Sequence, residues 1–204
     1  MIEVSDQGRL RRITLARPDK ANALTGAMLA ALEAAVLGAQ AASVIVLTGA
    51  GKVFSAGADL EEMRAGLGVD PVWSRVSAAI AGFPGLTIAA LNGTLAGGAF
   101  GLALACDLRL AVPGAKFFYP VMRLGYLPQP ADPGRLVALV GPSRAAMILL
   151  GGARIELAEA LAWGLVDRIA GPDGLLAAAE GLAADALAAD PAHLAAIKAM
   201  IRRG

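Results

Sequence analysis

The sequence predicts an α/β domain with a helical C-terminal part, on two observations. Strand-like and helix-like segments alternate through the first two thirds of the 204 residues, and helical patterns fill most of the rest. Apolar residues make up 57% of the chain against 17% charged, enough to build a large buried core and too much for disorder.

The elements follow in order. Leu10 to Ala16 alternates loosely and contains Ile13 and Thr14, as a strand does, and Arg17-Pro18-Asp19-Lys20 is turn chemistry. Thr25 is placed to cap a helix from Gly26 to about Gln40, with Met28, Leu29, Leu32 and Val36 on its apolar face. Ser43 to Thr48 reads as a buried strand ended by Gly49-Ala50-Gly51. A loop from Lys52 to Gly57 leads into a helix start at Ala58-Asp59-Leu60-Glu61-Glu62, where acids suit the helix dipole. A helix from about Pro71 to Gly82, a strand from Leu86 to Leu91 and the turn Asn92-Gly93 come next. Gly97-Gly98 opens a helix to about Ala105, followed by a strand from Leu108 to Val112. From Pro142 onward the chain reads as helical, with one short strand near Val166–Ile169 and a final helix beginning near Pro191.

Several functions are disfavoured by composition. The formal net charge is +1, and no basic cluster extends beyond Arg202-Arg203, so nucleic acid is not an expected partner. Cys106 is the single cysteine, which rules out an internal disulfide and a cysteine metal cluster; no metal site is expected. It lies in an apolar run and is expected to pack as a small hydrophobe. The start, Met1 to Asp6, lacks a basic and then apolar leader pattern, so a cytoplasmic location is the expectation. Val76 to Cys106 carries no charge and is long enough to span a bilayer, yet Gly82, Pro84, Gly85, Asn92, Gly93, Gly97 and Gly98 break it. Such a helix would leave backbone groups unsatisfied in lipid, so the stretch is expected to be the buried centre of an α/β domain, not a membrane span.

Two similar junctions carry the functional signal: Phe54-Ser55-Ala56-Gly57-Ala58-Asp59 and Asn92-Gly93-Thr94-Leu95-Ala96-Gly97-Gly98. Each follows a strand and enters a helix, where backbone N–H groups are free, and small residues let a ligand come close. Two such groups converging on one carbonyl oxygen would stabilise an enolate or a tetrahedral oxyanion. Taken singly, either junction is better explained by a tight turn and close helix–sheet packing. No Gly-x-Gly-x-x-Gly pattern with a following acid and no Gly-Lys-Ser/Thr occurs, which disfavours dinucleotide and P-loop readings.

With these junctions in place the sequence resembles the crotonase (enoyl-CoA hydratase/isomerase) family. The matching stretches are Arg17 to Leu24, Phe54 to Leu60, Asn92-Gly93, Ala96 to Ala99, Cys106 to Arg109, Ala115-Lys116-Phe117, Leu124-Gly125 and Ala162 to Asp167. Each is weak alone; their order makes the set specific. The resemblance implies a spiral of ββα units over residues 1–170, a helical segment over 171–204, and self-association as a trimer or hexamer. It implies an acyl-CoA thioester as ligand, with coenzyme A entering as part of the substrate and no separate cofactor. The oxyanion hole would be the amides of Ala58 and Gly98. CoA would lie near Ala21, Ala23, Ala56, Gly57, Asp59, Leu60, Gly97 and Val121.

The departures from the family pattern are informative. Hydratases carry one glutamate after the glycine pair and a second after a Phe-x-x-Pro stretch, to activate water and protonate the α-carbon. Those positions are Gly101 and Val121 here, so ordinary hydration is not expected. A glycine at position 101 also resembles the chlorobenzoyl-CoA dehalogenase branch, whose nucleophilic aspartate falls at the place of Gln129. Some decarboxylases of the family do without both acids. The polar candidates left are Tyr119, Tyr126, Gln129 and Asp132, with Gln129 and Asp132 the catalytic candidates. Asp132 before Pro133 is expected mainly as a helix N-cap with proline at the first helical position. Relatives usually continue beyond the last helix into a further helical segment over the CoA pocket, so the pocket is expected to be exposed or covered otherwise. His193, the single histidine, has no serine or cysteine partner in a recognised motif and is expected at a surface or in helix packing. The rival to an acyl-CoA enzyme is a non-catalytic protein that binds CoA thioesters or serves in assembly.

Overall fold

In the computed structural model of the protein, which describes residues 1–202, strands are shared between two sheets. Arg203, half of the basic pair noted above, and Gly204 lie outside the described residues. The larger sheet starts with an antiparallel hairpin, β1 (Ile2–Gln7) and β2 (Leu10–Leu15), turned at Gly8 with φ +59°. Thr25 caps α1 (Gly26–Leu37) by accepting from the Met28 N–H, and Met28, Leu29, Leu32 and Val36 are its buried face as expected. β3 (Val44–Gly49) then pairs in parallel with β2.

From β3 on, the chain repeats one manoeuvre: a strand in the large sheet, a short strand in a second sheet, and helix. The first round is β3, β4 (Val53–Ser55), α2 (Leu60–Arg64) and α3 (Val72–Gly82). The second is β5 (Leu86–Leu91), β6 (Thr94–Ala96) and α4 (Ala99–Ala105). The third is β7 (Leu108–Ala111), β8 (Lys116–Phe118), the short α5 (Val121–Leu124) and α6 (Asp132–Val140). This is the ββα spiral. α7 (Pro142–Leu149), β9 (Ile155–Glu156), α8 (Leu157–Trp163) and β10 (Arg168–Ile169) follow, and then α9 (Leu175–Leu182), α10 (Ala184–Ala188) and α11 (Pro191–Ile201). The large sheet runs β1-β2-β3-β5-β7-β10 and the small one β4-β6-β8-β9.

β3 and β5 are adjacent and parallel, with Val44 opposite Leu86 and Thr48 opposite Ala90. Both are almost wholly apolar, Thr48 and Thr87 apart, because both faces are covered. Ile45, Leu47, Ala89 and Leu91 face the main core with α1, α3 and α4, whereas Val44, Val46, Ile88 and Ala90 face Leu175, Ala179 and Ala183 of the C-terminal helices. The uncharged stretch from Val76 to Cys106 is thus α3, β5, β6 and α4 in the middle of the domain. No helix among the described residues is long and apolar enough to cross a membrane.

Several departures from the sequence reading concern strands, β8 and β9 among them because neither was expected. β1 shows no alternation, since five of its six residues are exposed. β4 and β6, three residues each, fall where a loop and a glycine turn were expected. Three residues are too few for a period-two signal; pairing with each other makes them strands. Asp132 is a correction of another kind. It is the first residue of α6, Ala131 is the N-cap, and no side chain caps this helix. Asp132 is instead fully buried, for the reason given below.

Candidate active site

The two glycine junctions meet. β4 and β6 are parallel neighbours, so the turns at their C-terminal ends lie side by side. A Cβ on Gly57 would come within 2.9 Å of the Ala96 carbonyl oxygen and 3.1 Å of the Gly97 Cα. Gly57 and Gly97 also adopt φ +98° and +55°, the left-handed region that glycine enters without strain. Neither the Ala58 nor the Gly98 N–H donates a hydrogen bond to any described residue, although the N–H groups around them do.

The first turn is tied by polar contacts. The Ala56 N–H donates to Ala21 O at 2.9 Å and Leu24 N–H to Gly57 O at 2.8 Å, so residues 21–24 run alongside residues 56–59. Buried Asn22 donates to Ala50 O and Val53 O, and Ser55 Oγ donates to Asn22 O at 2.7 Å. Asp59 caps α2 by accepting from the Glu61 and Glu62 N–H groups, and it pairs with Arg17 at 2.7 Å. The Arg17 guanidinium and those amides hold its carboxyl below the usual range. The second turn is held by packing: the rim of the Trp73 indole would lie 2.8 Å from a Cβ on Gly98, and Trp73 Nε1 donates to Leu67 O at 3.0 Å.

Ala58 and Gly98 both line a cavity of about 280 Å³. Its walls are mostly apolar, from Leu60, Met63, Trp73, Val121, Leu124 and Leu127. Arg64, Tyr119, Tyr126 and Gln129 are lining residues with protic side chains, and no Asp or Glu among the described residues lines it. Gln129 projects its amide toward Gly68 O at 3.4 Å. Of the residues expected near CoA, Ala56, Leu60, Gly97 and Val121 line the cavity, while Ala21, Ala23, Gly57 and Asp59 form the backbone and cap of the adjoining turn. Leu60 is 61% exposed at the end of this strip.

The place beside Gly101 is not empty. A Cβ on Gly101 would lie 2.7 Å from both carboxylate oxygens of Asp132, so that carboxyl group takes up the space a side chain at position 101 would need. Asp132 Oδ2 accepts a hydrogen bond from Tyr119 Oη at 2.9 Å, and Oδ1, also buried, has no partner among the described residues. Burial lifts the Asp132 carboxyl from 3.8 to about 6, against the lowering effects of the Tyr119 hydroxyl and of Arg135. Burial, and next the Asp132 charge, push the Tyr119 phenol above its ordinary value. Tyr119 lines the cavity, so a buried carboxylate stands one hydrogen bond behind the cavity wall. Sequence reasoning kept Asp132 and Tyr119 as candidates but had no signal to pair them; Asn22 and Trp73, which fix the two turns, carried no functional signal of their own.

His193 is exposed on α11, where its backbone N–H is capped by Asp190, and Cys106 is buried with its thiol pushed up to about 12 by desolvation. Neither touches the cavity.

A ββα spiral with two unpaired amides at adjoining turns over one apolar cavity defines a class of fold and site, and comparison with known proteins gives the family. The enoyl-CoA hydratase/isomerase family model matches residues 6–204. A probable enoyl-CoA hydratase of Rhizobium meliloti (strain 1021) is 38% identical, over 88% of this chain and 72% of that protein. A carnitinyl-CoA dehydratase of Salmonella arizonae is 35% identical, over 98% of this chain and 80% of its own length. Among solved structures, an enoyl-CoA hydratase subunit from Geobacillus kaustophilus HTA426 superposes with TM-score 0.90 at 36% identity, covering 99% of this chain and 81% of that one. The chain belongs to the enoyl-CoA hydratase/isomerase (crotonase) family.

Proposed function

We propose that this protein is an enzyme that processes an acyl-CoA thioester, holding the thioester oxygen against the N–H groups of Ala58 and Gly98 while an enolate or oxyanion forms. The observation that carries this reading is the pair of N–H groups without acceptors on two touching turns of one cavity. Each well-aimed donor of this kind is worth roughly 3–4 kcal/mol in a transition state. The CoA portion is expected along the strip from Ala21 and Ala23 to Ala56 and Leu60, outside the apolar cavity that takes the acyl chain. Gln129 is a substrate-facing amide, able to donate or accept but not to act as a nucleophile.

Ordinary hydration is not the proposed reaction, because Val121 offers only methyl groups and no carboxylate of a described residue lines the cavity. That same lack favours a second reading, a CoA-thioester-binding protein without chemistry. One experiment separates the two: the purified protein incubated with a panel of acyl-CoAs, products followed by mass. Turnover of any member supports the enzyme; binding without turnover across the panel supports the alternative. Hydration of crotonyl-CoA at roughly 10 s⁻¹ or faster would refute the exclusion of hydratase chemistry. We also propose self-association as a trimer or hexamer. Met122, Leu124, Leu127, Met147 and Leu150, exposed on the α5–α7 side, support it, and sedimentation at micromolar concentration tests it.

A further inference from the structure

We infer that Tyr119 is the proton carrier of this site and that Asp132, lodged in the space beside Gly101, supplies and receives its proton. This rests on the acyl-CoA reading for its substrate and adds the group that moves the α-proton. Three features of the geometry point there. Tyr119 is a wall residue of the cavity that Ala58 and Gly98 also line. Its ring is fixed by stacking on Phe100, with centroids 5.5 Å apart and planes at 22°. Its hydroxyl is held at 2.9 Å by Asp132 Oδ2 and receives the Gln129 N–H at 3.4 Å. A carboxylate with no exposure and one unpartnered oxygen costs stability, so its presence against the glycine of α4 calls for a role.

The step balances without any added reactant. The bond between C2 of the thioester and its hydrogen breaks, and that proton joins Tyr119 Oη while the phenolic proton passes to Asp132 Oδ2. The electron pair left on C2 moves into the enolate, whose oxygen lies against the Ala58 and Gly98 N–H groups. Tyr119 is neutral before and after, Asp132 ends as the neutral acid, and the enolate carries the charge that the carboxylate gave up. The reverse sequence protonates an enolate at C2. A free phenolate is not needed, which matters because burial and Asp132 make the phenol a weak acid. Asp132, lifted to about 6, is a base poised near neutral pH. The groups that bear on its titration are Tyr119 after β8 and Arg135 on α6 itself. Arg135 also donates to Ser77 of α3, α4 itself carries no titratable residue, and Arg144 of α7 turns to the Trp163 ring.

The test is deuterium uptake at C2 of acetyl-CoA and butyryl-CoA in D₂O, read by mass, alongside binding of acetoacetyl-CoA read by its enolate absorbance. The wild type is expected to exchange C2 hydrogens at a rate that climbs as pH passes through about 6 and then levels. Tyr119→Phe, which keeps the stacked ring, is expected to slow exchange by about 10²-fold or more while acetoacetyl-CoA still binds. Asp132→Asn is expected to slow it similarly and to abolish the step in the pH profile, which a purely structural role would leave in place. If Asp132→Asn does not fold, Tyr119→Phe decides alone. Exchange by Tyr119→Phe near the wild-type rate would overturn the inference, as would a wild type that binds acetoacetyl-CoA but exchanges neither thioester. A wild type that binds no acyl-CoA at all overturns the acyl-CoA reading and this inference together, and so is told apart from failure of the dyad alone.

Discussion

The two glycine turns present the same backbone group and are held in place by opposite means. The turn at Gly57 depends on polar ties, two of them buried: the Asn22 side chain, the Ser55 hydroxyl and the Asp59–Arg17 pair. The turn at Gly98 opens α4, every residue of which is buried, and depends on the Trp73 indole pressed against it. An amide can thus be aimed by a buried hydrogen-bond network or by close packing. Changes that widen the turns should therefore damage them differently.

The largest effect is expected from Gly57→Ala. Its Cβ would meet the Ala96 carbonyl and the Gly97 Cα, both backbone, at a positive φ, so both donors move at once. Acyl-CoA turnover should fall by about 10³-fold, as removal of an oxyanion donor does, and a structure of the variant with unaltered turns would break the comparison. Gly98→Ala pushes first on the Trp73 ring, at 2.8 Å. A loss of about 10²-fold in turnover with roughly 1–3 kcal/mol of stability from overpacking is expected, and Trp73→Phe in the same chain should return part of both.

The two carboxylates nearest the site sharpen the contrast further, because their titrations act on stability with opposite sign. Asp132 has its folded value raised from 3.8 to about 6, so the stability linked to its proton is present below about pH 4 and is lost as pH rises through about 6. Asp132→Asn should therefore gain stability over the wild type between pH 4 and 7, up to about 3 kcal/mol, and lose that advantage in acid. Asp59 has its value lowered by Arg17, so its contribution is present above about pH 4 and is lost as pH falls through the depressed folded value. Asp59→Asn should lower Tm slightly at neutral pH, with the difference closing in acid; it is the smallest effect, since the pair is partly exposed. Thermal melts of both variants between pH 3 and 7 check the two signs in one series.

The structure also changes what Gly101 means. In the sequence it is a missing side chain at the position where the family's hydratases carry a glutamate. In the fold the position is already taken by a carboxylate from α6, so even Gly101→Ala must displace Asp132. The expectation that Asp132 caps a helix drew on a sound local rule, Asp before Pro, but a cap must sit outside the first turn, and Ala131 holds that place. Tertiary contact with α4 and Tyr119 overrode the local preference.

The sequence by itself determined the succession of strands and helices, the apolar face of α1, the buried strands β3 and β5, and the two turns where only small residues fit. These are local properties: periodicity, capping and backbone sterics act over a few residues, and their order along the chain is visible without a fold. Only the tertiary structure decided that Gly57 and Gly97 touch, that Trp73 and Asn22 hold their turns, and that Asp132 comes to rest beside Gly101 with Tyr119 between it and the cavity. Each of these joins residues far apart in sequence through side-chain packing, and packing is set by the whole core closing at once, which no window of sequence contains.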